Sequence, residues 1–178
     1  MNLPNALSLV RLVLVPVFLA VFLASSDNYI VAAMVYLVAS ATDVLDGIIA
    51  RSTNQITQLG RILDPLADKL MSAAVLVCLW VRAILPWWVV AVYFLKEMVM
   101  GAGALVQFRI ISDVPPSKIL GKLATVLMFA TCLFLMLING IREYAVWMVG
   151  GVLVISAAAF FTYFIRFLQY AKKYRNED

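Results

Sequence analysis

The chain has 178 residues, 65% of them hydrophobic and 13% charged, and a mean hydropathy of +0.99, more apolar surface than a soluble domain of this size can bury. It contains no histidine, which excludes imidazole metal ligands, histidine triads and histidine general bases at once. The net charge of +4 invites a nucleic-acid reading, but the distribution of the basic residues assigns them to membrane topology instead.

In chain order, Asn2 to Ala24 is predicted as a first membrane span with Arg11 and Pro16 in it, too long an apolar run for a cleavable signal peptide. After the short polar loop Ser25–Asn28, a second span runs from about Tyr29 to Ala50. Ser52 to Leu59 forms a polar loop, and a third span starts near Asp64-Pro65, where proline suits a first helical turn, and reaches Val81. Ile84 or Pro86 opens a fourth span that fades near Phe108. The turn residues of Ser112–Ser117 mark a loop. A fifth span covers about Ile119 to Ile138, Asn139–Glu143 turns the chain, and a sixth extends from Tyr144 to about Phe167, followed by a charged tail. Each run approaches the ~20 residues a spanning helix needs, so the expected fold is all-α integral membrane, six transmembrane helices in one domain over residues 1–178. Cys78 and Cys132 both fall inside apolar runs and read as core residues; neither a disulfide framework nor a CxxC site is available.

Six spans put both termini on one side. Of the fourteen basic residues all but Arg82 and Arg142 then fall on that side, which makes it cytosolic by the positive-inside rule. Trp80, Trp87 and Trp88 lie at the opposite ends of spans three and four, where an outer aromatic belt belongs.

Four carboxylates stand out against this apolar background. Asp43 and Asp46 are i,i+3 at the end of span two, and Asp64 and Asp68 are i,i+4 at the start of span three, so each pair shares one helical face. A charge placed in the bilayer costs on the order of 2.5–3.5 kcal/mol unless it meets a cavity, a partner or a metal. Solvated helix ends account for one such residue, not for four at face-matching spacings. If the two helices are antiparallel neighbours, four hard oxygen donors converge, which is a divalent-cation site of the magnesium or manganese type.

Written with its gaps, the stretch is D-x2-D-G-x2-A-R-x8-G-x3-D-x3-D, formed by Asp43, Asp46, Gly47, Ala50, Arg51, Gly60, Asp64 and Asp68. It resembles, at all eight positions, the signature of the CDP-alcohol phosphatidyltransferases, integral membrane enzymes of phospholipid synthesis. Asn5, Ser8 and Arg11 are similar to the N-xx-T-xx-R element that starts many family members, with serine in place of threonine. The resemblance implies transfer of the phosphatidyl group of CDP-diacylglycerol to the hydroxyl of a small alcohol, with release of CMP, in a polar cavity open to the cytosol. It further implies a site with two Mg²⁺ or Mn²⁺ ions held by Asp43, Asp46 and Asp64, and Asp68 as general base that also touches the second ion. Asn5, Gly47, Ala50, Arg51 and Gly60 are assigned to the CDP-lipid, and a homodimer among membrane lipids is implied as the working form.

The acceptor is read from spans four and five. Family members that use glycerol-3-phosphate usually carry R-E on span four, a further arginine two turns on, and G-K-x-K-T entering span five. Here Lys96-Glu97, Ala104 and Gly121-Lys122-Leu-Ala124-Thr125 stand at those places, a partial match. Lys96, Arg109 and Lys122 are the candidate acceptor contacts, and a phosphorylated alcohol, glycerol-3-phosphate first, is the expected acceptor. Phosphatidylglycerol, which would make the product cardiolipin, is the alternative. A carboxylate-relay transporter fits less well, because the acids gather at one rim and only Glu97 continues across the bilayer.

Overall fold

The computed structural model describes residues 3–53, 60–110 and 119–175. They form six α-helices, α1 Leu3–Ala24, α2 Ile30–Thr53, α3 Gly60–Val81, α4 Trp87–Ile110, α5 Ile119–Leu137 and α6 Ala145–Arg175, with a 3₁₀ turn at Asn139–Tyr144 before the last. No strand occurs among the described residues. Three boundaries differ from expectation. α3 begins four residues before Asp64, so Asp64 and Asp68 lie about one and two turns inside it, and Pro65 forgoes a hydrogen bond to Arg61. The turn at Asn139 is helical. α6 continues through the basic tail, whose lysines and arginine are compatible with a helix C-terminus.

Among the described residues two helices, over Ala6–Ala24 and Asn139–Thr162, are long and apolar enough to cross a membrane, and Ile30–Leu45 and Gly121–Leu137 are apolar but shorter. Charges inside α3 (Asp64, Asp68, Lys69) and α4 (Lys96, Glu97) lower the apolarity of those two. Large apolar side chains are nevertheless exposed along the described lengths, among them Val13, Val31, Leu95, Met98 and Val154. Such surface suits lipid rather than water.

The chain divides into two compact units, residues 1–85 with 132–143 and residues 86–131 with 144–178. In the first, α1 packs extensively against both α2 and α3, which among the described residues touch each other little. One stripe of α1 explains this: Ser8, Arg11, Phe18 and Phe22 recur at helical spacing and are all buried. Opposite it, α2 presents Ala32, Tyr36 and Ala39, whose two alanines are small enough to admit close helix approach, and α3 presents Ala67, Met71, Ala74 and Cys78. Phe22 stacks on Tyr29 at 4.3 Å, joining the end of α1 to the start of α2. Arg82 at the end of α3 donates to the carbonyls of Leu23 (2.7 Å) and Ser25 at the end of α1. Hence α1 and α3 run parallel, with α2 antiparallel to both.

The two arginines that break the positive-inside pattern are thereby explained. Arg82 satisfies carbonyls that a helix C-terminus leaves without partners. Arg142 reaches the carbonyls of Leu135 (3.2 Å) and Asp27 (3.4 Å), and its guanidinium lies over the Tyr29 ring at 4.9 Å. Asn28 caps α2, its side-chain oxygen accepting from the Ile30 amide at 3.1 Å. α3 closes in a Schellman turn, Ile84 N–H to Leu79 carbonyl (2.9 Å) and Ala83 N–H to Trp80 carbonyl (2.8 Å), with Ala83 at φ 56°.

In the second unit α4 and α6 pack together, with Lys96 donating to Ser156 at 3.1 Å and Gly103 facing Phe160. The pairings advance together along both helices, so α4 and α6 are parallel. Trp87 (66% exposed) and Trp147 (80% exposed) each stand nine residues before the Lys96–Ser156 link and therefore at one level. Trp87 and Trp88 are exposed, as an interfacial belt requires, and Trp147 joins them.

Candidate active site

The two acidic pairs belong to α2 and α3, and one carboxylate of each, Asp43 and Asp64, is contacted from α1. Ser8 and Arg11 are three residues apart and share one face of that helix. The Ser8 hydroxyl donates to Asp64 Oδ1, and Arg11 Nη1 lies 2.6 Å from Asp43 Oδ1. One carboxylate from α2 and one from α3 are thus brought against neighbouring side chains of a third helix. The spacing of the acids alone places the site between α2 and α3; the structure puts α1 against both.

Arg11 is far more deeply buried than the carboxylate it pairs with. Its side chain is 2% exposed, while that of Asp43 is 49% exposed. A half-exposed ion pair contributes about 0.2–1 kcal/mol. Removing a guanidinium from water costs several kcal/mol. The pair with Asp43 does not by itself offset that cost. Sequence reasoning singles out Asn5, Ser8 and Arg11 as one family-like element but assigns only Asn5 a contact, to the CDP-lipid, and gives Ser8 and Arg11 no partner. The available signal was an ionisable residue one turn beyond a hydroxyl inside an otherwise apolar span.

The remaining predicted residues are placed as follows. Asp68 is partly buried on α3, one turn beyond Asp64. Asp46, Gly47, Ala50 and Arg51 lie in the last turns of α2, Gly60 is the first residue of α3, Asn5 is in the first turn of α1 and Arg109 in the last of α4; their side chains lie outside the described residues. Among the described residues no group of three acidic, cysteine or histidine side chains converges on one point. What the described carboxylates do show is compatible with a hard dication: oxygen donors from two helices meet one helix face, and a carboxylate that accepts one hydrogen bond keeps lone pairs for a cation.

Lys96 and Lys122 differ in kind. Lys96 Nζ lies 2.6 Å from Glu97 Oε1 and 3.1 Å from Ser156 Oγ, and 5.0 Å from the centre of the Tyr93 ring, so its ammonium is engaged by α4 and α6. Lys122 is exposed on the first turn of α5. It follows Gly121, where an added Cβ would meet nothing within 4 Å beyond its chain neighbours and its own helix backbone.

The model of the CDP-alcohol phosphatidyltransferase family matches residues 1–163. The chain belongs to that family. It is 34% identical over 137 residues to CDP-diacylglycerol–glycerol-3-phosphate 3-phosphatidyltransferase of Bacillus subtilis (strain 168), covering 70% of each chain. To a probable phosphatidylglycerophosphate synthase of Mycobacterium tuberculosis (strain ATCC 25618 / H37Rv) it is 34% identical over 166 residues, covering 90% of this chain and 76% of that one. A cardiolipin synthase (CMP-forming) of Streptomyces coelicolor (strain ATCC BAA-471 / A3(2) / M145) is 40% identical over 147 residues, 76% of this chain and 66% of the relative. As a member of this family, the protein is a phosphatidyltransferase of the membrane.

Proposed function

We propose that the protein transfers the phosphatidyl group of CDP-diacylglycerol to glycerol-3-phosphate. The observation that carries this reading is the meeting of Asp43 and Asp64 on α1, inside a chain whose length the family model nearly fills. That one family model spans both compact units also supports reading residues 1–178 as a single functional domain. The acceptor hydroxyl oxygen attacks the phosphatidyl phosphorus, the bond from that phosphorus to the CMP oxygen breaks, and CMP leaves with the electron pair. Asp68 takes the hydroxyl proton; an aspartate, with an ordinary pKa near 3.9, serves when the hydroxyl is acidified.

Asp43, Asp46, Asp64 and Asp68 would hold Mg²⁺ or Mn²⁺, two ions in the full site. When bound, these ions neutralise charge on the pyrophosphate and acidify the acceptor hydroxyl. Arg51 would grip a phosphate of the CDP-lipid, Asn5 would contact it too, and Gly47, Ala50 and Gly60 would let it approach the backbone. Lys122 is the first choice for the acceptor phosphate, because Lys96 is already held by Glu97 and Ser156; Arg109 lies at the end of α4 and adds positive charge. The six helices would all span the cell membrane with termini and a polar cavity toward the cytosol, supported by the basic residues, and the working form would be a homodimer.

The second reading, a CMP-forming cardiolipin synthase using phosphatidylglycerol, is favoured by the Streptomyces relative and by the missing arginine at Ala104. Release of CMP from CDP-diacylglycerol in detergent decides between them. The expected result is metal-dependent release that is fastest with glycerol-3-phosphate and loses apparent acceptor affinity in Lys122→Ala. Faster release with phosphatidylglycerol supports the second reading, and full activity in chelator overturns the metal assignment.

A further inference from the structure

We propose that α1 is the positioning helix of the metal site, and that Ser8 and Arg11 act through Asp64 and Asp43 rather than on substrate. The inference rests on the metal reading given above and goes beyond it, because neither residue is a metal ligand in that reading.

The geometry is a two-ended attachment. At one end Ser8 meets Asp64, and at the other Arg82 holds the carbonyls of Leu23 and Ser25. Ser8 to Ser25 is about 25 Å of helix, and Asp64 to Arg82 about 27 Å, at 1.5 Å per residue. The parallel helices are therefore fixed to each other at two points of nearly matched spacing, which prevents α1 from sliding along α3. Arg11 then extends the same α1 face to Asp43 on α2. Because α1 contacts one carboxylate of each helix, through Arg11 to Asp43 and through Ser8 to Asp64, it bears on the separation of those two carboxylates. Ser8 is fully buried and Arg11 nearly so, which gives each side chain a defined position. A ligand carboxylate oriented by an outer hydrogen bond binds its metal more tightly, and losing that bond typically costs 10–100-fold in affinity.

The charge of Arg11 makes the idea testable by sign. A guanidinium beside Asp43 repels a dication, so if it only paired charge, removing it would tighten metal binding. If it positions the carboxylate, removing it weakens binding.

The experiment is Mn²⁺ titration of the full-length protein in detergent without substrate, read as free Mn²⁺ by electron paramagnetic resonance, with thermal midpoints measured in parallel. Ser8→Ala is expected to weaken Mn²⁺ binding about 10–100-fold, Ser8→Thr to restore it by returning the hydroxyl, and Arg11→Ala to weaken it as well. Asp64→Asn combined with Ser8→Ala is expected to lose no more affinity than Asp64→Asn alone, since Ser8 acts through that carboxylate. Should Arg11→Ala fail to fold, the Ser8 series decides. Wild-type affinity in Ser8→Ala, additive losses in the double variant, or tighter binding by a folded Arg11→Ala overturns the inference alone. A wild-type protein that takes up no Mn²⁺ overturns the metal reading and this inference together.

Discussion

Asp43, Asp64 and Asp68 share a residue type but have different surroundings. Asp43 is half exposed and paired with a buried arginine, Asp64 accepts from a buried serine, and Asp68 sits partly buried one turn further on. If Asp43 and Asp64 hold metal while Asp68 moves a proton, their neutral variants separate. Asp43→Asn and Asp64→Asn are expected to lose CDP-lipid affinity and turnover together, because a ligand also holds the ground state. Asp68→Asn is expected to keep affinity and lose turnover, typically 10²–10⁴-fold for a general base. Equal loss of affinity in all three, read by equilibrium binding of a CDP-lipid, would make Asp68 a ligand first.

At the scale of elements, the ends opposite the aspartates are held by backbone capping. Arg82 makes two bonds to carbonyls of α1 and Arg142 two more to the neighbouring backbone. A hydrogen bond involving a charged group contributes about 1.5–3 kcal/mol. Arg82→Ala is thus expected to lower the thermal midpoint in detergent, while Arg82→Lys, which keeps the charge but loses the fork, recovers only part. An unchanged midpoint in Arg82→Ala would show that the clamp contributes nothing. The adjacent Ala83 gives the opposite prediction. It occupies the left-handed region at φ 56°, which costs a residue with a Cβ about 1–2 kcal/mol and costs glycine little. Ala83→Gly should raise the midpoint by a few degrees, the gain being reduced by the extra freedom of glycine in the unfolded chain.

For the whole molecule, the buried cysteines make sidedness accessible to labelling. Cys78 and Cys132 are each 1% exposed, so a background from native thiols is small. Single cysteines at Asp27, in the loop after α1, and at Gln55, in the segment before α3, are expected to react with an impermeant maleimide from opposite faces of intact cells, Asp27→Cys from outside. Labelling of both from the same face would remove the six-span arrangement and the cytosolic site with it.

The sequence by itself determined much at this scale. Its apolarity pointed to a membrane helix protein, the D-x2-D-G-x2-A-R-x8-G-x3-D-x3-D stretch carried the resemblance to the family that the family model bears out, and helical periodicity placed each aspartate pair on one face. The arrangement of helices was not legible in that way. Periodicity along α2 and α3 says that each presents two aspartates, but not which neighbour receives them. Only tertiary packing decided that α1 lies against both, because its buried stripe changes from aromatic at Phe18 and Phe22 to polar at Ser8 and Arg11 and must be matched over its whole length. The same holds for Arg82 and Arg142. In sequence they are exceptions to a charge rule, and only the fold brings them to helix-end carbonyls that a low-dielectric surrounding would otherwise leave unsatisfied.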